Sequence, residues 1–554
     1  MPKMSTLAVK IKHNGKLYDV SLDPSQPATA FKQAIYERTG VPIDRQKVMV
    51  KGGMLKDEMD LAKIGARSGQ TFMVIGSAGE LPKAPTGPVT FLEDMTESQI
   101  AQATRAKAGL TNLGNTCYLN STLQVLRCIP ELQVALNAFE GSMGSIDSEA
   151  NITASLRNLF KSMGETSDAF PPYAFLTILR QVAPQFAEQV QGGHGFAQQD
   201  AQEAWARIVM ALHASLKGLS PPSASNQAGS TEAGGRFVDQ YLTGRMSIRR
   251  SCLEAPDEEP TITEEPFTLL QCNISVQTNE MMTGILDSLN QQIQKDSPTL
   301  GRMAKYSETR RIDRLPAYLT AHFVRFYWRR DINKKTKIMR KVKFPFDLDV
   351  TPFLSEELQK KIGPANEKVK MIEKERDERA KIRRKIKARR EEALQGDTVK
   401  PSEQVGLATA TSGGSDAPRP AADMAAAAAG AALTHSEEVK LREEEQRQAL
   451  EAIDPDLRGD VGANTNGLYE LVGIVTHKGA AAEAGHYISW VRKEDDATDE
   501  AGGRATLDKP PQQEWYKFDD EKVSVVPREK IMTLDGGGED SVAYILLYRS
   551  KRID

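Results

Sequence analysis

The chemistry of this chain is predicted to centre on Cys117, which follows a loop rich in glycine and asparagine. Leu119, Leu123 and Leu126 recur at the spacing of one helix face, so the loop should run into an amphipathic helix that begins near Cys117. The unpaired N–H groups and the positive dipole end of such a helix favour a thiolate over a thiol. Asn112 brings an amide donor close to the sulfur. A thiolate beside donors for a developing oxyanion is the first half of a cysteine acyl-transfer site.

A histidine and an acid near the other end of the chain supply the parts that this thiolate needs. His486 begins an apolar strand directly after Gly485, and Asp519 ends a short aromatic strand. A cysteine, a histidine and a carboxylate make up a nucleophile–base–orienter triad. Asp520 is a neighbouring alternative for the orienting role. His477 is a competing base, although its place in a strand is more typical of a structural histidine.

The composition predicts a soluble intracellular protein of several domains. The chain has 554 residues, 40% of them hydrophobic, and a formal charge of −3, which argues against nucleic acid as the main partner. None of its four cysteines forms a Cys-x-x-Cys pair, so a disulfide framework, structural zinc and thioredoxin-like redox chemistry lack their usual signal. No cofactor and no metal are expected. The sequence shows neither a signal peptide nor an apolar run long enough to cross a membrane, so no membrane partner is expected.

Residues 5–78 are predicted to form a β-grasp unit, with a hairpin turning at Asn14-Gly15, a helix over about 29–38 and later strands at 47–50 and 71–75. The segment from Val41 to Gly52, VPIDRQKVMVKG, resembles the helix-exit loop and third strand of ubiquitin-like domains. Because no Gly-Gly pair follows Ile75, the resemblance implies a docking module and not a conjugable modifier. Met49 and Ile75 fall where ubiquitin carries an exposed apolar patch; the alternative is that both are core strand residues.

The rest of the chain is predicted to be a linker and one large, interrupted domain. Residues 79–107 are a proline-containing linker, and residues 108–550 form a domain of helices followed by strands, with strands expected at 237–249, 266–275 and 319–328. His322, in the last of these strands, is expected to be a strand histidine beside the core. Residues 355–450 are an insertion of charged helices around a low-complexity segment. The basic run at 381–390, in the first of these helices, is typical of a solvated helix face; the alternative is a nuclear signal or a patch that binds anions.

Three sequence boxes resemble those of the ubiquitin-specific proteases, which are papain-like cysteine deubiquitinases. They are the cysteine box TNLGNTCYLNS from Thr111, the box QQDAQE from Gln198, and the histidine box that joins GHY at Gly485 to WYKFDD at Trp515. The resemblance implies an α+β fold with fingers, palm and thumb. It also implies that Cys117 is the nucleophile, His486 the general base and acid, Asp519 the residue that orients His486, and Asn112 an oxyanion-hole donor. The paired cysteines that hold zinc in many members are missing, so the fingers are expected to hold by packing.

A ubiquitin-like domain joined to this catalytic domain resembles the proteasome-associated branch of the family. This resemblance implies that the chain cleaves the bond after the C-terminal glycine of ubiquitin, with ubiquitin, ubiquitinated proteins and the regulatory particle of the 26S proteasome as partners, in cytoplasm and nucleus. Glycine-rich loops at 478–484 and 535–539 could fold over the cleft and lower the activity of the free enzyme. The alternative function is that of a non-catalytic, ubiquitin-binding regulator of the proteasome.

Overall fold

The computed structural model describes residues 6–51, 53–76, 96, 107–190, 195–220, 235–329, 334–396, 435–479, 485–493, 514–538 and 540–553. The chain divides into two compact units, Met1–Asp94 and Met95–Asp554. Most of the predicted linker, the low-complexity segment at 397–434 and residues 480–484 of the loop before His486 lie outside the described residues. None of the described helices is both long and apolar enough to cross a bilayer.

The first unit has the predicted β-grasp fold. Its elements are β1 (Leu7–His13), β2 (Lys16–Leu22), α1 (Ala28–Thr39), β3 (Lys47–Val50), β4 (Gly53–Met54) and β5 (Thr71–Ile75). The sheet order is β2-β1-β5-β3-β4, with β1 and β5 parallel. Apolar residues alternate along β1 and β5, so one face of the sheet is buried against Phe31 and Ile35 of α1.

The second unit is built on strands that come mostly from its C-terminal half. In chain order they are β6 (Gly244–Cys252), β7 (Thr261–Phe267), β8 (Leu270–Asn273), β9 (Asn290–Ser297), β10 (Arg302–Arg314), β11 (Tyr318–Val324), β12 (Phe326–Arg329), β13 (Lys334–Lys337), β14 (Asp347–Asp349), β15 (Leu468–Lys478), β16 (His486–Arg492), β17 (Glu514–Asp519), β18 (Lys522–Pro527) and β19 (Val542–Ser550).

Its α-helices come mostly from the N-terminal half of the unit. They are α2 (Cys117–Leu126), α3 (Pro130–Asn137), α4 (Ser148–Gly164), α5 (Tyr173–Val182), α6 (Ala201–Ser215), α7 (Phe237–Tyr241), α8 (Met281–Leu289), α9 (Glu356–Gly396), α10 (His435–Glu451), α11 (Pro455–Arg458) and α12 (Arg528–Met532). Helix α2 is buried at every position, between α6 and the strands β15 and β16.

The central sheet carries the strands in the order β18-β17-β16-β15-β19-β11-β8, and β14 pairs with β15. Neighbouring residues of β15 enter opposite cores, and the strand contains two register shifts. Val472 and Val475 pack against the helices, whereas Leu471 and Ile474 pack on the other face. Because both faces are buried, this strand has the nearly continuous apolar sequence LYELVGIV.

A second sheet, β7-β6-β10-β9, forms the predicted fingers. A small apolar cluster of Cys252, Ala255, Ala304 and Tyr306 packs it together. No group of three or more His, Cys, Asp or Glu side chains in the described part of the chain could hold a metal ion. Cross-strand ion pairs such as Arg250–Glu308 (2.6 Å) also join its strands.

Two of the predicted strands are wrong in their extent. Residues 237–249 were expected to form one strand, but they form helix α7 and then β6. Phe237 and Tyr241 are four residues apart and stack on one another at 5.0 Å, which is a helical spacing. Residues 266–275 divide between β7 and β8, which belong to different sheets.

The strand predicted over 319–328 is also divided, because the chain changes sheets at Arg325. Its side chain is fully buried, and the guanidinium donates to the carbonyls of Ala543 (2.8 Å) and Arg340 (2.8 Å). Strand β11 therefore ends at Val324, and β12 starts a separate hairpin with β13. The run of apolar residues in the sequence does not reveal this break.

Helices α9 and α10 of the insertion pack against each other through buried ion pairs. Glu445 accepts from Arg376 and Arg379 (both 2.6 Å), and Glu438 pairs with Arg383 at 3.0 Å. Both glutamates are buried. The basic run at 381–390 is thus not solvated at every position, since Arg383 belongs to this interface.

Replacing Glu445 by Gln should destabilise the helical pair by about 3 kcal/mol, because two partly buried guanidinium groups lose their counter-charge. Chemical denaturation of the full chain followed by circular dichroism measures the change. Glu444→Gln is the matched control, because the side chain of the neighbouring Glu444 is 42% exposed and its ion pair with Arg447 lies at the surface, where such pairs contribute little. Equal stability of the two variants would contradict a stabilising role for the buried network.

Candidate active site

Cys117 is the first residue of α2, directly after the N-cap residue Thr116. The loop before it is held by Asn112, whose Oδ1 accepts from the N–H groups of Gly114 (3.0 Å) and Thr116 (3.3 Å). The hydroxyl of Thr116 accepts in turn from the N–H of Leu113 (2.9 Å). These bonds place the thiol group at the positive end of a buried helix, as the sequence predicts.

Two donors lie against the sulfur of Cys117. The backbone N–H of Tyr487, at the start of β16, is 3.5 Å from Sγ, and Nε2 of Gln198, just before α6, is 3.9 Å from it. Tyr487 is 370 residues away from Cys117 along the chain, so the fold brings the two halves of the site together.

His486 lies between the sulfur and a carboxylate. Its Nε2 is 2.7 Å from Oδ1 of Asp519 on β17, which leaves Nδ1 for Cys117. The hydrogen bond with Cys117 raises the pKa of His486 to about 9, with help from Asp519 and against the effect of burial. The imidazole is therefore protonated at neutral pH, as a thiolate–imidazolium pair requires.

Asp519 is held in its ionised form. Burial alone would raise the pKa of its carboxyl group, but hydrogen bonds with His486 and Lys517 outweigh burial and lower that pKa. Lys517 Nζ is 3.0 Å from Oδ2 of Asp519, so each carboxylate oxygen has its own partner. The carboxylate can thus fix the imidazole ring while remaining charged.

The side chain of the neighbouring Asp520, the alternative residue for orienting His486, bonds to other partners. Its Oδ2 accepts from Nδ2 of Asn112 (2.8 Å) and its Oδ1 from Nδ2 of Asn120 (2.8 Å). Asp520 therefore joins the β17–β18 turn to the cysteine loop, while Asp519 contacts His486. The predicted role of Asn112 in the oxyanion hole stays a prediction, because its described amide bond goes to Asp520.

Of the two other histidines that the sequence raised, His477 lies in the core and His322 is partly buried. His477 is fully buried on β15, and burial, followed by the charge of Lys337, lowers its pKa to about 3, so it cannot serve as a base near neutral pH. His322 lies on β11 with its ring edge-on to Tyr544 at 4.8 Å, which agrees with a strand histidine beside the core.

Sequence reasoning missed the contacts of Gln198 and Asn120. The sequence marks Gln198 only as part of the QQDAQE box. The signal that points to its contact with the sulfur is that Gln198 lies just before the N-terminus of α6. Asn120 lies one turn after Thr116 and faces back toward the loop, where its amide also meets the carbonyl of Leu110 (3.3 Å). A polar residue at a buried helix position is the signal that could have identified it.

A cysteine at a helix N-terminus, with a histidine and an aspartate on adjacent strands of a sheet, defines a papain-like cysteine hydrolase. The comparisons with known proteins give the particular family. The model of the family "Ubiquitin carboxyl-terminal hydrolase" matches residues 108–548, and that of the "Ubiquitin family" matches residues 7–79. The chain therefore belongs to the ubiquitin carboxyl-terminal hydrolases and is a cysteine-protease ubiquitin hydrolase with an N-terminal ubiquitin-like domain.

Similar proteins extend over the whole chain. Ubiquitin carboxyl-terminal hydrolase 6 of Schizosaccharomyces pombe is 38% identical over 548 residues, 99% of each chain. Ubiquitin carboxyl-terminal hydrolase 7 of Arabidopsis thaliana is 34% identical over 550 residues, again 99% of each chain. Ubiquitin carboxyl-terminal hydrolase 14 of Caenorhabditis elegans is 29% identical over 553 residues, 98% of this chain and 94% of that one.

The pH dependence of kcat/KM should report the pKa of His486. Activity on a fluorogenic amide of ubiquitin is expected to fall as pH rises through about 9, because the imidazolium loses the proton that the leaving amine needs. Asp519→Asn removes one cause of the raised pKa, so its alkaline limb should move to lower pH and its kcat should fall roughly 10²- to 10⁴-fold.

Glu521→Gln makes the same charge change two residues away, at an exposed position. Its pH profile should match that of the unmodified chain. An alkaline limb that Asp519→Asn and Glu521→Gln leave equally unmoved would contradict the assignment of Asp519.

Proposed function

We propose that this chain removes ubiquitin from conjugates at the proteasome, with Cys117 as the nucleophile, His486 as the acid and base and Asp519 as the group that orients His486. The observation that carries the proposal is the line of contacts from the sulfur through His486 to Asp519 at the N-terminus of α2. It brings a thiol nucleophile, a protonated imidazole and an ionised carboxylate together in one place.

In the acylation step, the Cys117 thiolate attacks the carbonyl carbon of the C-terminal glycine of ubiquitin. The amide C–N bond breaks as the imidazolium of His486 transfers its proton to the leaving lysine amine. A thioester between Cys117 and ubiquitin remains. Water then attacks this thioester, His486 takes the proton, and the C–S bond breaks to release ubiquitin and restore the thiolate.

The oxyanion of each tetrahedral intermediate needs donors near the sulfur. The N–H of Tyr487 and the amide of Gln198 already lie beside Sγ. Asn112, the donor that the family resemblance implies, would have to turn its amide from Asp520. We therefore assign Gln198 a share of this role alongside Asn112.

The ubiquitin-like unit carries an apolar surface suited to docking on another protein. Met49 and Met73 are paired across β3 and β5 and are 45% and 51% exposed, and Ile75 at the end of β5 is 54% exposed. Adjacent exposed apolar side chains of this kind mark interaction sites. This patch is the proposed contact with the proteasome regulatory particle, which would bring the enzyme to cytoplasmic and nuclear proteasomes.

Turnover of a fluorogenic ubiquitin amide distinguishes catalysis from the alternative of a non-catalytic regulator. The full chain should hydrolyse it, and Cys117→Ala should reduce kcat to background. Cys128→Ala is the matched control, since that cysteine lies two residues beyond the C-terminus of α2, and it should keep its activity. If purified full chain shows no turnover, free or with proteasomes, the binding regulator becomes the better account.

The docking surface is tested separately from the chemistry. Met49→Asp should weaken co-sedimentation of the full chain with purified proteasomes by about tenfold or more, because a charge would be desolvated in an apolar contact. Leu17→Asp is the control, since Leu17 is at least as exposed as Met49 but lies on β2, at the opposite edge of the sheet. Both variants should hydrolyse the free ubiquitin amide at the rate of the unmodified chain. Equal proteasome binding by both variants would exclude this patch as the contact.

A further inference from the structure

A buried lysine lies behind the active site, at the end of the β12–β13 hairpin. Lys337 is only 5% exposed, and its ammonium group donates in three directions. Its Nζ is 3.0 Å from Nδ1 of His477, 2.8 Å from the carbonyl of His477 and 2.9 Å from the carbonyl of Gly479. All three protons are thus used, and two of them hold the end of β15 where the chain leaves the sheet.

The ring of His477 is enclosed between this lysine and the start of β16. It packs edge-on against the aromatic rings of Phe326 and Tyr487, with ring centroids 5.2 Å and 4.7 Å away. Because the low pKa of His477 keeps the ring neutral, Nδ1 can accept from Lys337 and the proton lies on Nε2. Within the described residues Nε2 has no hydrogen-bond partner.

Nε2 of His477 points at Gly485, the residue before the catalytic histidine. A Cβ atom at position 485 would lie 1.9 Å from Nε2 and 2.6 Å from the carbonyl oxygen of Lys478. Only glycine therefore fits beside this ring at position 485. The path of the chain into His486 is set by the edge of the His477 imidazole, which Lys337 holds in place.

We propose that Lys337 and His477 are positioning residues for His486. Together they form a buried support, meaning that they fix the position of the backbone at Gly485, where the chain enters β16. The inference rests on the proposed function and extends it. One residue further on, His486 meets Cys117 and Asp519, and two residues further on, Tyr487 donates to Sγ. A displacement at Gly485 is therefore transmitted to every contact of the thiolate–imidazolium pair.

The electrostatic surroundings agree with a cationic support. Burial, and then the nearby charge of Arg325, lower the pKa of Lys337 to about 8, so the ammonium form still predominates at neutral pH. Asp200 and His486 are the other charged groups that act on His477. A buried ammonium carries a desolvation cost that an apolar side chain would avoid. The cost indicates that the three directed bonds matter more than the space that the side chain fills.

The test is Lys337→Met in the full chain, compared with Lys343→Met, which removes an exposed lysine six residues further along. We expect Lys337→Met to lower kcat on the ubiquitin amide by about tenfold to a hundredfold and to change KM less than about twofold, because misplacement by even 1 Å is costly. Alkylation of Cys117 by iodoacetamide at pH 7, measured on its peptide by mass spectrometry, should slow by about fivefold or more, since the ion pair forms less often. Lys343→Met should change neither quantity.

Gly485→Ala tests the same support from the other side. The added methyl group must displace His477 or the chain, so this variant should show the same loss of kcat and the same slower alkylation. Lys337→Gln keeps two of the donors, so its kcat and its rate of Cys117 alkylation should lie between those of Lys337→Met and the unmodified chain. If Lys337→Met does not fold, Lys337→Gln is compared with Lys343→Met in its place.

The inference is overturned if folded Lys337→Met matches Lys343→Met in kcat and in Cys117 alkylation, or if only KM rises. Failure of the proposed function has a different signature, because the unmodified chain would then not hydrolyse the ubiquitin amide at all. Alkylation of Cys117 needs no ubiquitin, so it reports on the support even in that case.

Discussion

The active site depends on one carboxylate that joins two distant parts of the chain. Asp520 accepts from Asn112 in the cysteine loop and from Asn120 in α2, while its carbonyl accepts from the N–H of Leu110 (3.0 Å). A Cβ at Gly109 would lie 2.4 Å from the carbonyl oxygen of Glu521, so the loop and the β17–β18 turn touch at backbone distance. These bonds fix the cysteine loop against the turn that follows Asp519.

The same turn explains why two adjacent aspartates have different tasks. Asp520 has a positive φ of 51°, a conformation that aspartate tolerates better than most residues. The chain reverses there, so the side chain of Asp519 lies beside His486 on the neighbouring strand while that of Asp520 faces the cysteine loop. One turn thus orients the base and aligns the nucleophile. The large insertion does not disturb this arrangement, because the chain leaves the sheet at Asp349 and returns at Leu468, its direct partner on β15.

The sequence predicted the parts of the site well and their supports poorly. The helix at Cys117 and the strands at His486 and Asp519 follow from local apolar patterns, and the β-grasp unit follows from its turn and strand spacing. The break at Arg325 has no local pattern, since it depends on carbonyl groups supplied by other segments. Lys337 could not be recognised because a lysine in a polar hairpin is normally solvated. Its burial arises only when β15 and Gly479 are packed beside it. Long-range contacts of this kind are set by the tertiary fold and not by neighbouring residues.

The most direct test of this account is to map the covalent adduct formed by ubiquitin that carries a C-terminal electrophile. The full chain is treated with this probe, digested and analysed by mass spectrometry. The account predicts a single modified site, Cys117, with labelling that decreases strongly in Asp519→Asn and is unchanged in Glu521→Gln. Labelling at Cys128, Cys252 or Cys272, or no adduct in the presence of proteasomes, would contradict the assignment of the nucleophile.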